Sequence, residues 1–379
     1  MYKPFLAFFR NSFDKGILLI AAIILALIMS NSELSTIYNG IIHSSIAFSF
    51  NEQIFALPSH LIVNDFLMSI FFLVVGIEIK KELISGHLAT KAQRILPVIC
   101  AICGVIMPCI IYITINNNSQ SLVGWAIPTA TDIAFVIAIM SIFSNRIPQS
   151  IKVFVTALAV IDDLIAVVAI AIFYTTDLST SCLLGILACI TILAWMCKKE
   201  VLIIKLYFLL GMVLFSLFFF SGVHSTVSGV VLGFCLPLDL GEKVLKSIHK
   251  YVTYVIMPIF AFFNAGVSLN DFSSENLLDP VTLGIMLGLL FGKQFGIFGG
   301  LYLLIKSKIA KMPDNSTFQD AYVASILCGI GFTMSLFVAS LAFHEGSEAL
   351  IDSKVGILLG SLISCIVGVS LLQLKKRHI

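Results

Sequence analysis

The chain has 379 residues, 59% of them hydrophobic and 12% charged, with 31 phenylalanines and a formal net charge of +2. Soluble proteins carry about 25% charged residues, so this composition excludes an ordinary water-soluble domain. The basic residues are spread thinly over short segments, which excludes a nucleic-acid partner.

Apolar runs of about 20 residues, the length that crosses a hydrocarbon core as helix, predict an all-α polytopic membrane protein. Twelve spans are expected, at 16–30, 59–83, 95–115, 121–143, 151–174, 182–197, 203–220, 223–236, 251–269, 281–305, 320–343 and 354–374. The first follows Lys3, Arg10 and Lys15 as in a signal peptide, but it runs into MSNSELS without a small-x-small cleavage site. A retained first helix is therefore expected. The longest extramembrane stretch, 31–58, contains AFSFNEQIFAL, whose alternation around Asn51 and Glu52 predicts a small outer-face hairpin. Its 45–58 portion is a candidate homodimer contact. Cys100 and Cys103 form a CxxC, but inside ILPVICAICGVIMP it reads as packing rather than metal or redox chemistry.

Further along, AIPTATDIAF (126–135) interrupts the fourth predicted span with Pro128 and sets Thr129, Thr131 and Asp132 at membrane depth. The fifth carries Asp162 and Asp163 inside TALAVIDDLIAVV (156–168), with no basic residue between Lys152 and Lys198. Lys293 lies inside the tenth. In the eleventh, CGIGFTMS (328–335) is loosened by Gly329 and Gly331. Interrupted segments at corresponding places in two halves point to a transporter site near the midplane. On spacing alone, 95–174 and 281–374 are candidate repeats of inverted topology within one transporter domain covering 1–379.

Basic residues mark cytoplasmic loops. With both termini inside, twelve spans bring 21 of the 23 Lys and Arg residues to one side, Lys293 and Lys354 being the exceptions. The opposite side reads NNNSQS, TTDLSTS, DFSSENLLDP and HEGSEALIDS, polar or acidic throughout.

The ionisable residues inside spans are Asp65, Asp132, Asp162, Asp163 and Lys293, with Glu78 and Glu82 at the cytoplasmic end of the second. Each charge at mid-bilayer costs roughly 2.5–3.5 kcal/mol, and such residues usually mark ion or proton pathways. A structural reading has Lys293 neutralise one aspartate and lock helices together. The three carboxylates near mid-depth, Asp132, Asp162 and Asp163, cannot all be neutralised by one lysine, so the remaining charge calls for mobile protons or metal cations. Adjacent helical positions are about 100° apart, so Asp162 and Asp163 face different neighbours: one a cavity, the other a helix such as that of Lys293. Carboxylate oxygens suit a small hard cation. A proton and a cation competing for one set of oxygens is the minimal chemistry of an exchanger.

VNDFLMSIFFLVVGIEIKKEL (63–83), IPTATDIAF (127–135), LAVIDDLIAV (158–167), MPIFAFFNAGVSL (257–269), LFGKQFGI (290–297) and GIGFTMSLFVASLAF (329–343) together resemble the NhaA-type sodium/proton antiporters of bacterial inner membranes. The resemblance covers nearly the whole chain. It implies twelve helices in which the fourth and eleventh cross and are partly unwound. It implies electrogenic, pH-regulated exchange of cytoplasmic Na⁺ or Li⁺ for external H⁺, with no cofactor and no enzymatic activity. Carried over, Asp163 is the principal Na⁺ ligand with Thr131 beside it, and Asp162 is its titrating partner facing Lys293. Asp132 compensates the dipole ends of the broken helices. Asp65, Glu78, Glu82, His224 and His249 match positions linked with fold, pH response or the cytoplasmic funnel. Two residues depart from the pattern. Gln294 stands where proline is common, and in GEKVLKSIHKY (241–251) Leu245 stands where relatives can carry a glutamate.

Three other classes compete less well: an intramembrane aspartyl protease, an ion channel and a non-transporting scaffold or sensor. An intramembrane aspartyl protease would need two carboxylates sharing a proton, which Lys293 opposes, and GxGD is absent. A channel would need a filter motif, and none is visible.

Overall fold

The computed structural model describes residues 3–50, 53–86, 91–117, 120–175, 178–268 and 276–375. Asn51 and Glu52, the expected hairpin turn, lie outside them, as do Lys376 and Arg377. Among the described residues the chain is mostly helix, with one two-stranded sheet. Seven helices among the described residues are long and apolar enough to cross a membrane: Ser59–Ile84, Arg94–Ile115, Leu122–Ile142, Gln149–Phe173, Thr180–Lys198, Pro280–Lys306 and Glu348–Leu374. Two bent pairs, Gly16–Ser30 with Ser35–Ile42 (117°) and Phe318–Leu327 with Phe332–Ala342 (45°), raise the number to nine. The chain is thus a multi-pass, mostly helical membrane protein.

The chain divides into two compact units. The first comprises Met1–Ile20, Glu82–Ala166 and Leu269–Ile379, and the second Ala21–Lys81 and Val167–Ser268. In the second, Ile77, Ile186, Leu193, Tyr207, Leu214, Phe218 and Leu240 form a buried apolar core. Helix Val227–Cys235 approaches the Met68–Ile84 helix closely because Gly229 and Gly233, four residues apart, leave room for backbone. A Cβ on Gly233 would stand 2.7 Å from the Leu73 carbonyl oxygen. The same unit holds the antiparallel strands Ser45–Phe50 and Gln53–Pro58, with Ile46 opposite Leu57 and both well exposed.

Within the first unit, the Pro280–Lys306 helix packs on Lys91–Ile115 through glycines at 284, 288, 292, 296 and 300. Small residues at spacing four let membrane helices come close. A Cβ on Gly292 would fall 2.6 Å from Pro108 Cα, and one on Gly288 2.7 Å from Pro128 Cβ. In a regular α-helix a spacing of four drifts by about 40° per step, which would carry the stripe off its face. Two wide turns, Gly288–Gly292 and Gln294–Phe298, flank Lys293 and absorb this drift; the Lys293 N–H reaches back five residues, to the Gly288 carbonyl.

Residues 241–251, which lead into the ninth predicted span, belong to a helix, Leu238–Tyr251, that continues through a wide turn at Val252–Ile256 into Met257–Ala265. The segment is strongly amphipathic, burying Leu240 and Gly241 while Lys243, Lys246 and Lys250 stay exposed. Apolar-run counting therefore missed its helicity. The wide turn relieves the bond that Pro258, lacking an N–H, cannot make.

Candidate functional site

Two interrupted segments of the first unit build the site. Leu122–Thr129 is a tight 3₁₀ turn containing Pro128. Ala130 is extended, and Asp132 then opens the helix Ile133–Ile142. The other segment breaks at Cys328–Gly331, between Phe318–Leu327 and Phe332–Ala342. Glycine is required there by close approach: a Cβ on Gly329 would lie 2.5 Å from the Leu289 carbonyl oxygen and 2.7 Å from Ser364 Oγ.

Each break frees backbone groups that a bilayer cannot hydrate, and each supplies partners for the other. The Asp132 N–H donates to the Ile330 carbonyl at 2.8 Å. Asp132 Oδ1 accepts from the Phe135 N–H at 3.2 Å. Its Oδ2 accepts from the Thr333 N–H at 3.2 Å and the Thr333 hydroxyl at 2.6 Å. One buried carboxylate therefore caps two helix N-termini, where the macrodipole favours negative charge. Ser361 Oγ accepts from the N–H groups of Gly331 and Phe332 at 3.1 and 3.2 Å. Ser335 Oγ donates to the Ile127 carbonyl at 2.8 Å.

Asp162 sits beside this junction on Gln149–Phe173. Its Oδ2 accepts from Lys293 Nζ at 2.7 Å and from Thr131 Oγ1 at 2.9 Å. Lys293 is fully buried, and Asp162 and Thr131 nearly so. The Thr131 hydroxyl also lies 3.1 Å from the Cys328 carbonyl oxygen. It has a single proton to donate, so it serves one acceptor at a time. Asp162 Oδ1 is buried and makes no hydrogen bond among the described residues. Asp163 is 6% exposed, on the next position of the same helix. A buried ion pair roughly offsets its own desolvation and is weak evidence for stability. An anionic oxygen left without a donor is better suited to a visiting hard cation or proton.

Other sequence-selected residues lie in the second unit. Asp65 Oδ1 accepts from the Ser225 hydroxyl and lies 3.8 Å from His224 Nε2. Glu78 Oε1 is 3.8 Å from His249 Nδ1. Lys81, which the sequence reading passed over, pairs with Glu242 at 2.9 Å. Its hydrogen bond and charge hold the Glu242 carboxyl below the usual range. Leu245 packs against the apolar core of that unit, so it is a packing residue as well as an absent acid. Glu82, which belongs to the first unit, lies in the last turn of the Met68–Ile84 helix, half-buried.

Thr333, Ser361 and Tyr322, none of them singled out from sequence, also join the first unit's network. The hydroxyl of Tyr322 donates to Gln294 Oε1 at 3.2 Å. The glycine stripe LGIMLGLLFGKQFGIFGG was visible in the sequence and would have marked the Lys293 helix as a close-packing one.

The profile of the Na⁺/H⁺ antiporter 1 family matches residues 6–372. Curated relatives of similar length include the Na⁺/H⁺ antiporter NhaA 1 of Pseudomonas savastanoi pv. phaseolicola, 45% identical over 374 residues, covering 96% of this chain and 93% of that one. The Na⁺/H⁺ antiporter NhaA of Pelagibacter ubique is 44% identical over 383 residues, covering 99% and 98%. That of Sulfurovum sp. is 42% identical over 382, covering 98% and 97%. A profile match over nearly the whole chain, carrying the Asp-Asp pair and both interrupted segments, shows that the chain belongs to the Na⁺/H⁺ antiporter 1 family.

Proposed function

We propose that this protein exchanges cytoplasmic Na⁺ or Li⁺ for external protons, electrogenically and under pH control, in a bacterial inner membrane with both termini cytoplasmic. The observation that carries the reading is Asp162, buried with Lys293 and Thr131 on one oxygen and, among the described residues, no donor on the other. The relatives' names, all Na⁺/H⁺ antiporters, agree with it.

In this mechanism Asp163 and Asp162 supply the charge for the cation, with the Thr131 hydroxyl oxygen as a neutral donor. Na⁺ arriving at the carboxylates displaces Lys293 and protons. Protons arriving from the other side restore the lysine pair and expel Na⁺. Asp132 keeps the helix ends around the site together while the carboxylates change partners. Asp65, Glu78, Glu82, His224 and His249 serve the pH response or the cytoplasmic funnel. No cofactor and no enzymatic step is involved.

Nine candidate spans, with the shorter apolar segments Ile204–Phe219, Val227–Cys235 and Met257–Ala265, support the reading of twelve helices. Bonds joining the breaks at 130–132 and 328–331 support their reading as crossing segments of the inverted repeats 95–174 and 281–374. The unpaired edges and exposed Ile46 and Leu57 of the hairpin support a homodimer through 45–58.

The test is Na⁺-dependent collapse of a pH gradient in everted vesicles. Asp163→Asn keeps shape but loses the anionic oxygen, so exchange vanishes while the protein still inserts. Apparent Na⁺ affinity in the unmodified protein weakens toward lower pH, approaching about tenfold per unit when one proton is displaced. Near-normal flux in Asp163→Asn, or an affinity flat with pH, refutes the shared site.

A further inference from the structure

Gln294 follows Lys293 directly and is itself buried. A buried amide costs free energy unless it is hydrogen-bonded, whereas an apolar side chain of the same size would pack there without penalty. The amide oxygen of Gln294 accepts from the Tyr322 hydroxyl at 3.2 Å. Tyr322 belongs to Phe318–Leu327, the first half of the broken span, whose C-cap is Cys328. The Cys328 carbonyl oxygen touches Thr131 Oγ1 at 3.1 Å, Thr131 reaches Asp162 Oδ2 at 2.9 Å, and Lys293 reaches the same oxygen at 2.7 Å. The contacts close a ring from Asp162 through Lys293, Gln294, Tyr322 and the broken helix back to Asp162.

Lys293 also lies between two wide turns. Such turns interrupt the regular hydrogen-bond ladder and occur frequently at functional sites, so the rotation of the helix at Lys293 depends on what its side chains grip. We infer that Gln294, held by Tyr322, is a positioning residue for Lys293. It fixes where the ammonium meets Asp162, and so sets how strongly a transported cation must compete with the lysine for that oxygen. This rests on the reading of Asp162 and Lys293 as part of the transport site.

The experiment compares Gln294→Met, which keeps the volume and removes the acceptor, with Tyr322→Phe and the double variant. Each is reconstituted in vesicles and assayed for Na⁺-driven proton flux. The aromatic contacts of Phe298 with Phe318 and Tyr322, and of Tyr302 with Phe318, hold the same two helices together in all three. Loosening the lysine weakens its competition, so the apparent KM for Na⁺ falls by about threefold to fivefold, the reach of one neutral hydrogen bond. Vmax falls as well, because the lysine expels the cation less effectively. The double variant matches the singles, since both remove one bond. A merely structural role would lower Vmax by reducing active protein and leave KM where it was. An unchanged or raised KM, or additive effects, overturns the inference while exchange by the unmodified protein keeps the transport reading. No exchange by the unmodified protein overturns both.

Discussion

Asp132 is the residue whose removal has the most calculable consequence. Its carboxylate takes three donors: the N–H of Phe135, the N–H of Thr333 and the hydroxyl of Thr333. Hydrogen bonds to a charged group contribute about 1.5–3 kcal/mol each, roughly 4.5–9 kcal/mol for three. Against that stands the cost of a carboxylate at membrane depth, roughly 2.5–3.5 kcal/mol. The bonds win, and Asp132→Ala is expected to destabilise the protein by about 1–6.5 kcal/mol net. Thr333→Val removes the hydroxyl alone and is expected to cost about 1.5–3 kcal/mol. Asp132→Asn keeps one acceptor but turns an NH₂ toward a donor, so it falls between them. The assay is reversible unfolding in mixed detergent–SDS micelles, with vesicle exchange measured in parallel. If Asp132→Ala unfolds at the same SDS fraction as the unmodified protein, the carboxylate is not the shared cap of the two helices.

Other perturbations separate packing from charge. Gly292→Ala forces a methyl to within 2.6 Å of Pro108 Cα and is expected to cost about 1–3 kcal/mol, while Gly299→Ala, with open space around it, costs nothing measurable by the same unfolding assay. Lys375 pairs with the buried Asp320, which also closes the capping box of Phe318–Leu327. Lys375→Met is expected to cost about 3–5 kcal/mol, read as a lower unfolding midpoint. The Glu242 carboxyl is held below its ordinary value by Lys81. Its stabilisation is therefore fully present above the unfolded carboxylate value and is lost as pH falls through the folded one. Lys81→Met is expected to remove that acid-side component from the pH dependence of the melting temperature, and high salt to mimic the variant.

Membrane solvation makes part of this protein legible in one dimension. A segment crossing hydrocarbon must satisfy its own backbone and present apolar side chains, so composition over about 20 residues suffices to find it. The run 121–143 corresponds to Leu122–Ile142, and 281–305 to Pro280–Lys306. Charges that break the rule are conspicuous for the same reason, which is why Asp132, Asp162, Asp163 and Lys293 stood out. The limits of that reading are equally physical. Leu238–Tyr251 carries its apolar residues on one face, so an average over the segment hides it. The wide turns around Lys293 keep a glycine stripe against Lys91–Ile115, a constraint set by a different helix. The meeting of Asp162 with Lys293, 131 residues away, and of Asp132 with Thr333, 201 away, is decided by which helices pack together. Residue type alone says that a buried carboxylate needs a partner. Tertiary packing decides which partner it finds, and leaves one oxygen of Asp162 without any among the described residues.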